Sequence, residues 1–228
     1  MELHPYKMPI EEMVKRFEQL YTAAINDVFQ DRDMHHQWLG PEIQCRTKDL
    51  KGDVVAGIAF TVQWIFDPRA DERDRPAAKM VASYPENGIV VVDAGADQIS
   101  GFWGELATTV CLRNGVRGAV INGGAKDTGF VKLMGFPIFC KFTSPVDGFY
   151  RSRLRGWQIP IWINEVLIRP DDFIVGDSDG VLVIPQEIAE EILVETERRA
   201  ESESNTRKLL KEGVSPDEAS RLTGRKDL

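Results

Sequence analysis

The chain has 228 residues, 43% hydrophobic and 28% charged, with 19 Gly and 12 Pro, which excludes a disordered, collagenous or disulfide-built polypeptide and fits one globular domain with a helical tail. Its 36 acidic and 28 basic residues leave a formal charge of −8, the wrong sign for a protein held to nucleic acid by phosphate contacts, so small metabolites or proteins are the expected partners. No apolar run approaches the roughly 20 residues of a membrane span, and the opening MELHPYKMPIEEMVKRF lacks a basic stretch followed by an apolar one, so a cytoplasmic location without membrane contact is expected.

The predicted elements begin with an amphipathic helix over residues 9–29, where Met13, Val14, Phe17, Leu20, Ala24, Ile25 and Val28 recur at three- and four-residue steps. Asn26 and Asp27 mark its end or a break. Residues 52–63 (GDVVAGIAFTVQ) alternate small and β-branched residues and read as a strand. Residues 67–75 carry seven charges in nine positions and read as a solvated loop. A short helix over 76–83, with proline at a tolerated first-turn position, leads to a buried strand at 88–93 (GIVVVD). Residues 101–114 read as a helix closed by Gly115, and 116–121 as another strand, so 88–122 forms a βαβ crossover. After a loop at 122–129 come short apolar runs at 137–142, 159–163, 173–175 and 180–184. The last two flank Gly-Asp-Ser-Asp-Gly and read as a hairpin. Residues 186–212 read as a long surface helix broken near 202–205, and 215–228 as a short helical turn with a frayed end.

The chemistry-bearing stretch is residues 103–128, WGELATTVCLRNGVRGAVINGGAKDT. Backbone N–H groups at a helix start can cradle an anion, and Gly104, Glu105, Leu106 and Ala107 offer such a start. At the far end of the unit, Asn122-Gly123-Gly124-Ala125-Lys126-Asp127 leaves a strand through two glycines and presents a cation beside a carboxylate. Both ends can face one pocket, with Lys126 and the amides for a carboxylate and Asp127 with Glu105 for a hard divalent cation or its waters. The same residues also read as an ordinary polar loop with a surface ion pair.

Other candidates carry less. His35 and His36 are adjacent, so their side chains diverge, and no neighbouring ligand completes a metal site. Asp177-Ser178-Asp179-Gly180 reads as a turn, because the downstream glutamate of a calcium loop is replaced by a strand. Arg151, Arg153 and Arg155 read as a solvated basic loop that could also meet a second substrate carboxylate. Cys45, Cys111 and Cys140, odd in number and in no CxxC spacing, read as reduced core thiols.

An ordered series of short segments resembles one family, the RraA-like proteins, which include regulator of ribonuclease activity A and the 4-hydroxy-4-methyl-2-oxoglutarate aldolases. The segments are residues 24–27 (AIND), 57–62 (GIAFTV), 90–93 (VVVD), 136–139 (FPIF) and, most specific, 169–185 (RPDDFIVGDSDGVLVIP). In the aldolase members Gly-Asp or Gly-Glu is followed after twenty residues by Arg-Asp. Here Gly104-Glu105 is followed after twenty by Lys126-Asp127, and Phe130 stands where an acid is usual.

The resemblance implies an α/β, swivelling β/β/α-type single domain over 1–186, with a helical C-terminal extension over 187–228. It also implies a homotrimer or homohexamer with sites between subunits. By position, Lys126 and the amides of Glu105, Leu106 and Ala107 would hold the pyruvyl carboxylate, Asp127 would ligate magnesium or manganese, and Glu105 would hold a water in the metal's shell. The implied activity is divalent-metal-dependent cleavage of a carbon–carbon bond in a pyruvate-derived 2-oxo acid, as a 4-hydroxy-2-oxo acid aldolase or an oxaloacetate decarboxylase. The alternative is a non-catalytic regulator that binds ribonuclease E or another protein.

Overall fold

The computed structural model describes residues 5–67, 69, 77–148 and 151–224. Its helices are α1 (Ile10–Phe17), α2 (Thr22–Asp31), α3 (Ala77–Ala82), α4 (Glu105–Asn114), α5 (Thr128–Met134), α6 (Ala189–Lys211) and α7 (Pro216–Thr223). Its strands are β1 (Gln44–Cys45), β2 (Val55–Phe66), β3 (Gly88–Asp93), β4 (Gly118–Ala125), β5 (Ile138–Thr143), β6 (Ser152–Trp157), β7 (Ile161–Ile163), β8 (Val166–Ile168), β9 (Phe173–Asp177) and β10 (Gly180–Ile184).

Eight strands form one mixed sheet in the order β1-β5-β4-β3-β2-β9-β10, with β6 also paired to β2. The centre, β2 to β5, is parallel, and α4 makes the β3-α4-β4 crossover that the sequence predicts. β2 is long enough to serve two antiparallel partners on one edge, β9 at its start and β6 at its end. Residues 37–39 bond to β10 through Leu39 N to Val181 O (3.0 Å) and Val183 N to Gln37 O (2.8 Å), while β1, a few residues on, pairs with β5. One short segment thus joins both edges and nearly closes the sheet into a barrel.

Alternation along the strands divides the core in three. Ile89, Val91, Val120, Ile174, Val181 and Val183 point inward, where the small β7-β8 hairpin contributes Ile161, Ile163 and Val166. Val90, Val92, Ala119 and Ile121 point out under α4 and α5 with Trp103 and Phe136. Phe173, Val175, Leu182 and Ile184 point out under α1, α2 and α6. Ala189, Ile192 and Leu193 of α6 are buried there, so the first turns of the C-terminal helix belong to this core. The α/β class, the 88–93 strand, the closure of α4 by Gly115 in the left-handed region and the 173–184 hairpin all stand as the sequence predicts. Cys111 and Cys140 are buried free thiols, pushed by burial up to about 12 and about 11, and Cys45 is half-buried.

Several boundaries differ. The N-terminal helix breaks at residues 18–21, not at Asn26 and Asp27, because the buried Asp177 carboxylate accepts bonds from Thr22 N and Oγ1, both 2.7 Å, and restarts the helix there. Asp27 instead sits within α2 and accepts from Arg199. α6 runs unbroken through residues 202–205. Thr206 Oγ1 donates to Ser202 O and Ser202 Oγ to Thr223 O, so α7 folds back and satisfies the polar groups that suggested a break. α4 starts at Glu105, not Gly101, since residues 101–103 are tied to neighbouring segments, Gly101 bridging Gly124 and Asp147 and Trp103 O accepting from Lys126 N. The stretch read as a loop at 122–129 is the end of β4 followed by α5. Residues 152–157, read as a solvated basic loop, are strand β6. The charged run 67–75 lies mostly outside the described residues, as does the end beyond 224. Among the described residues, no helix is long and apolar enough to cross a membrane.

Candidate functional site

The site forms where the C-terminal end of β4 meets the start of α4. Phe102 N donates to Gly124 O (2.8 Å), Lys126 N to Trp103 O (2.7 Å) and Gly101 N to Val146 O (2.8 Å), so three backbone segments are stitched side by side. Gly124 is required by that closeness, because a methyl group there would lie 2.6 Å from Ser100 O and 2.5 Å from the Phe142 ring. Trp103 anchors the floor: its Nε1 donates to Thr108 Oγ1, and its ring stacks on Phe136 at an interplanar angle of 3°.

Gly104 is the N-cap of α4 and offers no side chain to the helix, so the first-turn amides of Glu105, Leu106 and Ala107 face outward without a cap, at the positive end of the helix dipole. Its backbone is extended (φ −159°), and any residue adopts that conformation. Glycine is needed for space: a methyl group would fall 2.5 Å from Asp127 Oδ2. The Asp127 carboxylate therefore lies against the Gly104 α-carbon, in a cradle that any side chain would fill. Asp127 itself is held in the left-handed region (φ 54°, ψ 24°) as the N-cap of α5. Strain at a non-glycine residue of this kind persists where surrounding structure imposes it.

A cavity of about 590 Å³ opens here, lined at one end by Gly104, Lys126, Asp127 and Asp147 and along its length by apolar side chains. The sequence-predicted Gly104, Leu106, Ala107, Lys126 and Asp127 all line it. Glu105 does not: its carboxylate lies along its own helix, with Oε1 3.5 Å from Thr109 Oγ1. Asp147 is the residue that sequence reasoning missed. It accepts a 2.8 Å bond from Lys126 Nζ, and this bond, more than any other influence, raises the lysine's proton affinity above its ordinary range. Only the turn-like Pro145-Val146-Asp147-Gly148 after a parallel strand hinted at it, since loops at such strand ends carry ligand sites.

Arg151, Arg153 and Arg155 are absent from the cavity wall, and each meets another group: Arg151 faces Asp97 and the Phe66 ring, Arg153 faces Asp67, and Arg155 donates to Gln63 Oε1. His35 is exposed beside Asp33.

Among the described residues no group of three or more His, Cys, Asp or Glu is placed to hold a metal on its own. The donors in the cavity are the carboxylates of Asp127 and Asp147, with neither thiol nor imidazole in its wall. One or two hard oxygen ligands suit magnesium or manganese, which retain several waters, and do not suit zinc. Asp127, open to the cavity and unsupported by a side-chain cap bond, fits that role.

A profile of the RraA-like, Aldolase/RraA family matches residues 22–183, and the chain belongs to that family. It is 30% identical over 158 residues to the protein of Halalkalibacterium halodurans named "Putative 4-hydroxy-4-methyl-2-oxoglutarate aldolase", covering 69% of this chain and 72% of that one. It is 30% identical over 146 residues to Protein DlpA of Legionella pneumophila, a match covering 64% of this chain but only 24% of DlpA. A solved structure described as one of novel cellulases from gut-associated microbes superposes with a TM-score of 0.82 at 33% identity, covering 87% and 88% of the two chains.

Proposed function

We propose that this chain is a divalent-metal-dependent carbon–carbon lyase acting on a pyruvate-derived 2-oxo acid, by retro-aldol cleavage of a 4-hydroxy-2-oxo acid, by decarboxylation of oxaloacetate, or both. The observation that carries this reading is the meeting of Lys126, Asp127 and the uncapped first turn of α4 across Gly104 in one cavity. The Lys126 ammonium and the α4 amides bind the substrate carboxylate, the former as a point charge and the latter as directed donors. Asp127 would hold a magnesium or manganese ion, which as a Lewis acid supplies stabilisation for the negative charge that develops on the 2-oxo oxygen. Asp147 orients Lys126 and keeps it protonated. A lysine held as ammonium is unfit to attack a carbonyl as a free amine, which favours metal-assisted cleavage over an imine route. Apolar walls flank the polar end and lower the polarity around the developing charge.

The test is pyruvate release from oxaloacetate and from 4-hydroxy-4-methyl-2-oxoglutarate, coupled to a dehydrogenase, with magnesium and again with chelator. Turnover above the metal-only blank that stops with chelator supports the lyase. Turnover equal to the blank on every substrate removes it and leaves a binding protein, while release of reducing sugar from cellulose would place the chain with its cellulase-described relative. The trimer or hexamer implied by the family has support in the exposed apolar side chains of α5 outside the cavity wall, Phe130 (66% exposed) and Leu133 (87%). Sedimentation at the mass of a single chain would remove that assembly.

A further inference from the structure

The cavity is longer than a pyruvyl group needs. From the polar end it continues along α4, where Leu106, Ala107, Val110 and Arg113 lie at three- and four-residue steps on one helix face. Leu106 to Arg113 spans about 10 Å at the helix rise. Ala78, Val81 and Ala82 of α3 form the facing wall, and Trp64 and Phe102, with ring centroids 5.9 Å apart, form the base. Between Lys126 at one end and Arg113 at the other, every lining side chain is apolar.

We propose that this groove selects the aldehyde half of the substrate, and that the preferred substrates are 4-hydroxy-2-oxo acids whose C4 substituent is a straight aliphatic chain or an aromatic ring rather than a second carboxylate. This rests on the lyase reading for the chemistry but on the groove alone for the selectivity. Arg113 stands about two helical turns beyond Leu106, so the stretch of groove next to the polar end offers the far carboxylate of a compact dicarboxylate no cation. That charge would lie among Trp64, Phe102, Val81 and Val110, where an unpaired carboxylate is strongly disfavoured. An apolar chain instead follows the stripe on α4 and is removed from water along its length. Cleavage breaks the C3–C4 bond with its electron pair going to C3. The C4 hydroxyl gives up its proton as the aldehyde forms, and one proton returns to C3 to yield pyruvate, with no oxidant or reductant consumed.

The experiment measures kcat/KM for the 4-hydroxy-2-oxo acids built from pyruvate and ethanal, butanal, hexanal or benzaldehyde, beside 4-hydroxy-4-methyl-2-oxoglutarate. In parallel, calorimetry measures the affinity for 2-oxobutyrate and 2-oxooctanoate. The groove predicts a rise of roughly four-fold per added methylene in both series, and the dicarboxylate as the poorest substrate. Val110→Asp should lower the hexanal-to-ethanal ratio about ten-fold, and Val110→Thr, a milder change, should lower it less. A flat or falling series in both kinetics and calorimetry, or a preference for the dicarboxylate, overturns the proposal. If no substrate turns over yet 2-oxooctanoate binds more tightly than 2-oxobutyrate, the lyase reading fails and the groove stands. If oxaloacetate is decarboxylated but chain length has no effect, the lyase stands and the groove fails.

Discussion

On the face of the sheet that carries α1, α2 and α6, arginines are gripped by forked carboxylate contacts across helices. Arg16 donates through Nε and a terminal nitrogen to both oxygens of Glu197 (2.7 and 2.6 Å), Arg32 does the same with Glu195 (2.9 and 2.5 Å), and Arg199 reaches Asp27 and Asp31 of α2. On the face that carries α3, α4 and α5, Leu106 stands exposed at the cavity and Phe130 and Leu133 on α5 outside its wall, and the prominent ion pair there, Lys126 with Asp147, is half-open. The first face closes on itself through planar, two-pronged pairs that tolerate little displacement. The second keeps a flexible cation, a strained aspartate and unburied apolar surface together. Forked ion pairs are concentrated opposite the cavity, and open polar and apolar groups beside it.

The sharpest way to break this contrast is Asp127→Asn. Asparagine tolerates the left-handed backbone at this position as aspartate does, so the substitution removes charge and little else. Turnover should fall at least about 100-fold, a loss of roughly 2.7 kcal/mol of transition-state stabilisation, with an unchanged melting temperature. Steady-state kinetics beside thermal denaturation checks it, and wild-type turnover would show that the metal role belongs to another residue. Gly104→Ala comes next. Its methyl group would meet Asp127 Oδ2 and displace the carboxylate without straining an extended backbone, so activity should drop about ten-fold while stability changes by less than about 1 kcal/mol.

A smaller effect should follow Lys126→Arg. Restoring a two-pronged contact with the substrate carboxylate should tighten oxaloacetate binding by about 1 kcal/mol, visible as a lower KM. A raised KM would show that the guanidinium stays forked onto Asp147.

The smallest effect lies on the opposite face and tests its independence. The bond from Arg32 holds Glu195 below the ordinary glutamate range, and the bond from Arg169 does the same for Glu187. A lowered carboxylate stabilises the fold fully above its unfolded value and loses that contribution as pH falls through its lowered folded value. Helix α6 should therefore loosen only below the usual glutamate titration range, and modestly, since these pairs are partly exposed to solvent. Hydrogen exchange of α6 amides across an acid series measures this. Loosening at neutral pH would contradict the fastened face.

The sequence carried the elements whose signal is local. Alternation and β-branched runs placed β3, β9 and β10, and Gly115 ended α4 because a left-handed cap needs no partner. The loop compositions at Gly104 and at Lys126-Asp127 left a shared pocket and an ordinary polar loop both open, and the family resemblance singled out the pocket that the fold forms. What escaped depended on distant residues. The restart of α2 is set by Asp177, some 155 positions away, and the continuity of α6 by the return of α7. Helix α5 gave no amphipathic pattern because Phe130 and Leu133 face out of this chain. Asp147 was hidden for the same reason, since only the folded sheet end puts it against Lys126.

The segment at residues 37–45, which bonds β10 on one side and β5 on the other, makes the closure of the sheet depend on contacts between distant parts of the chain. Its partners at 181–183 lie some 140 positions further along the chain, so a break at either end of that contact opens the near-barrel at one seam. The seam is tight at Gly180, where a methyl group would lie 2.6 Å from the Trp38 ring nitrogen, so a side chain there would hold this closure open. Where residues 37–39 and 44–45 lie against β10 and β5, those edges present fewer free amides and carbonyls on which another chain could add a strand.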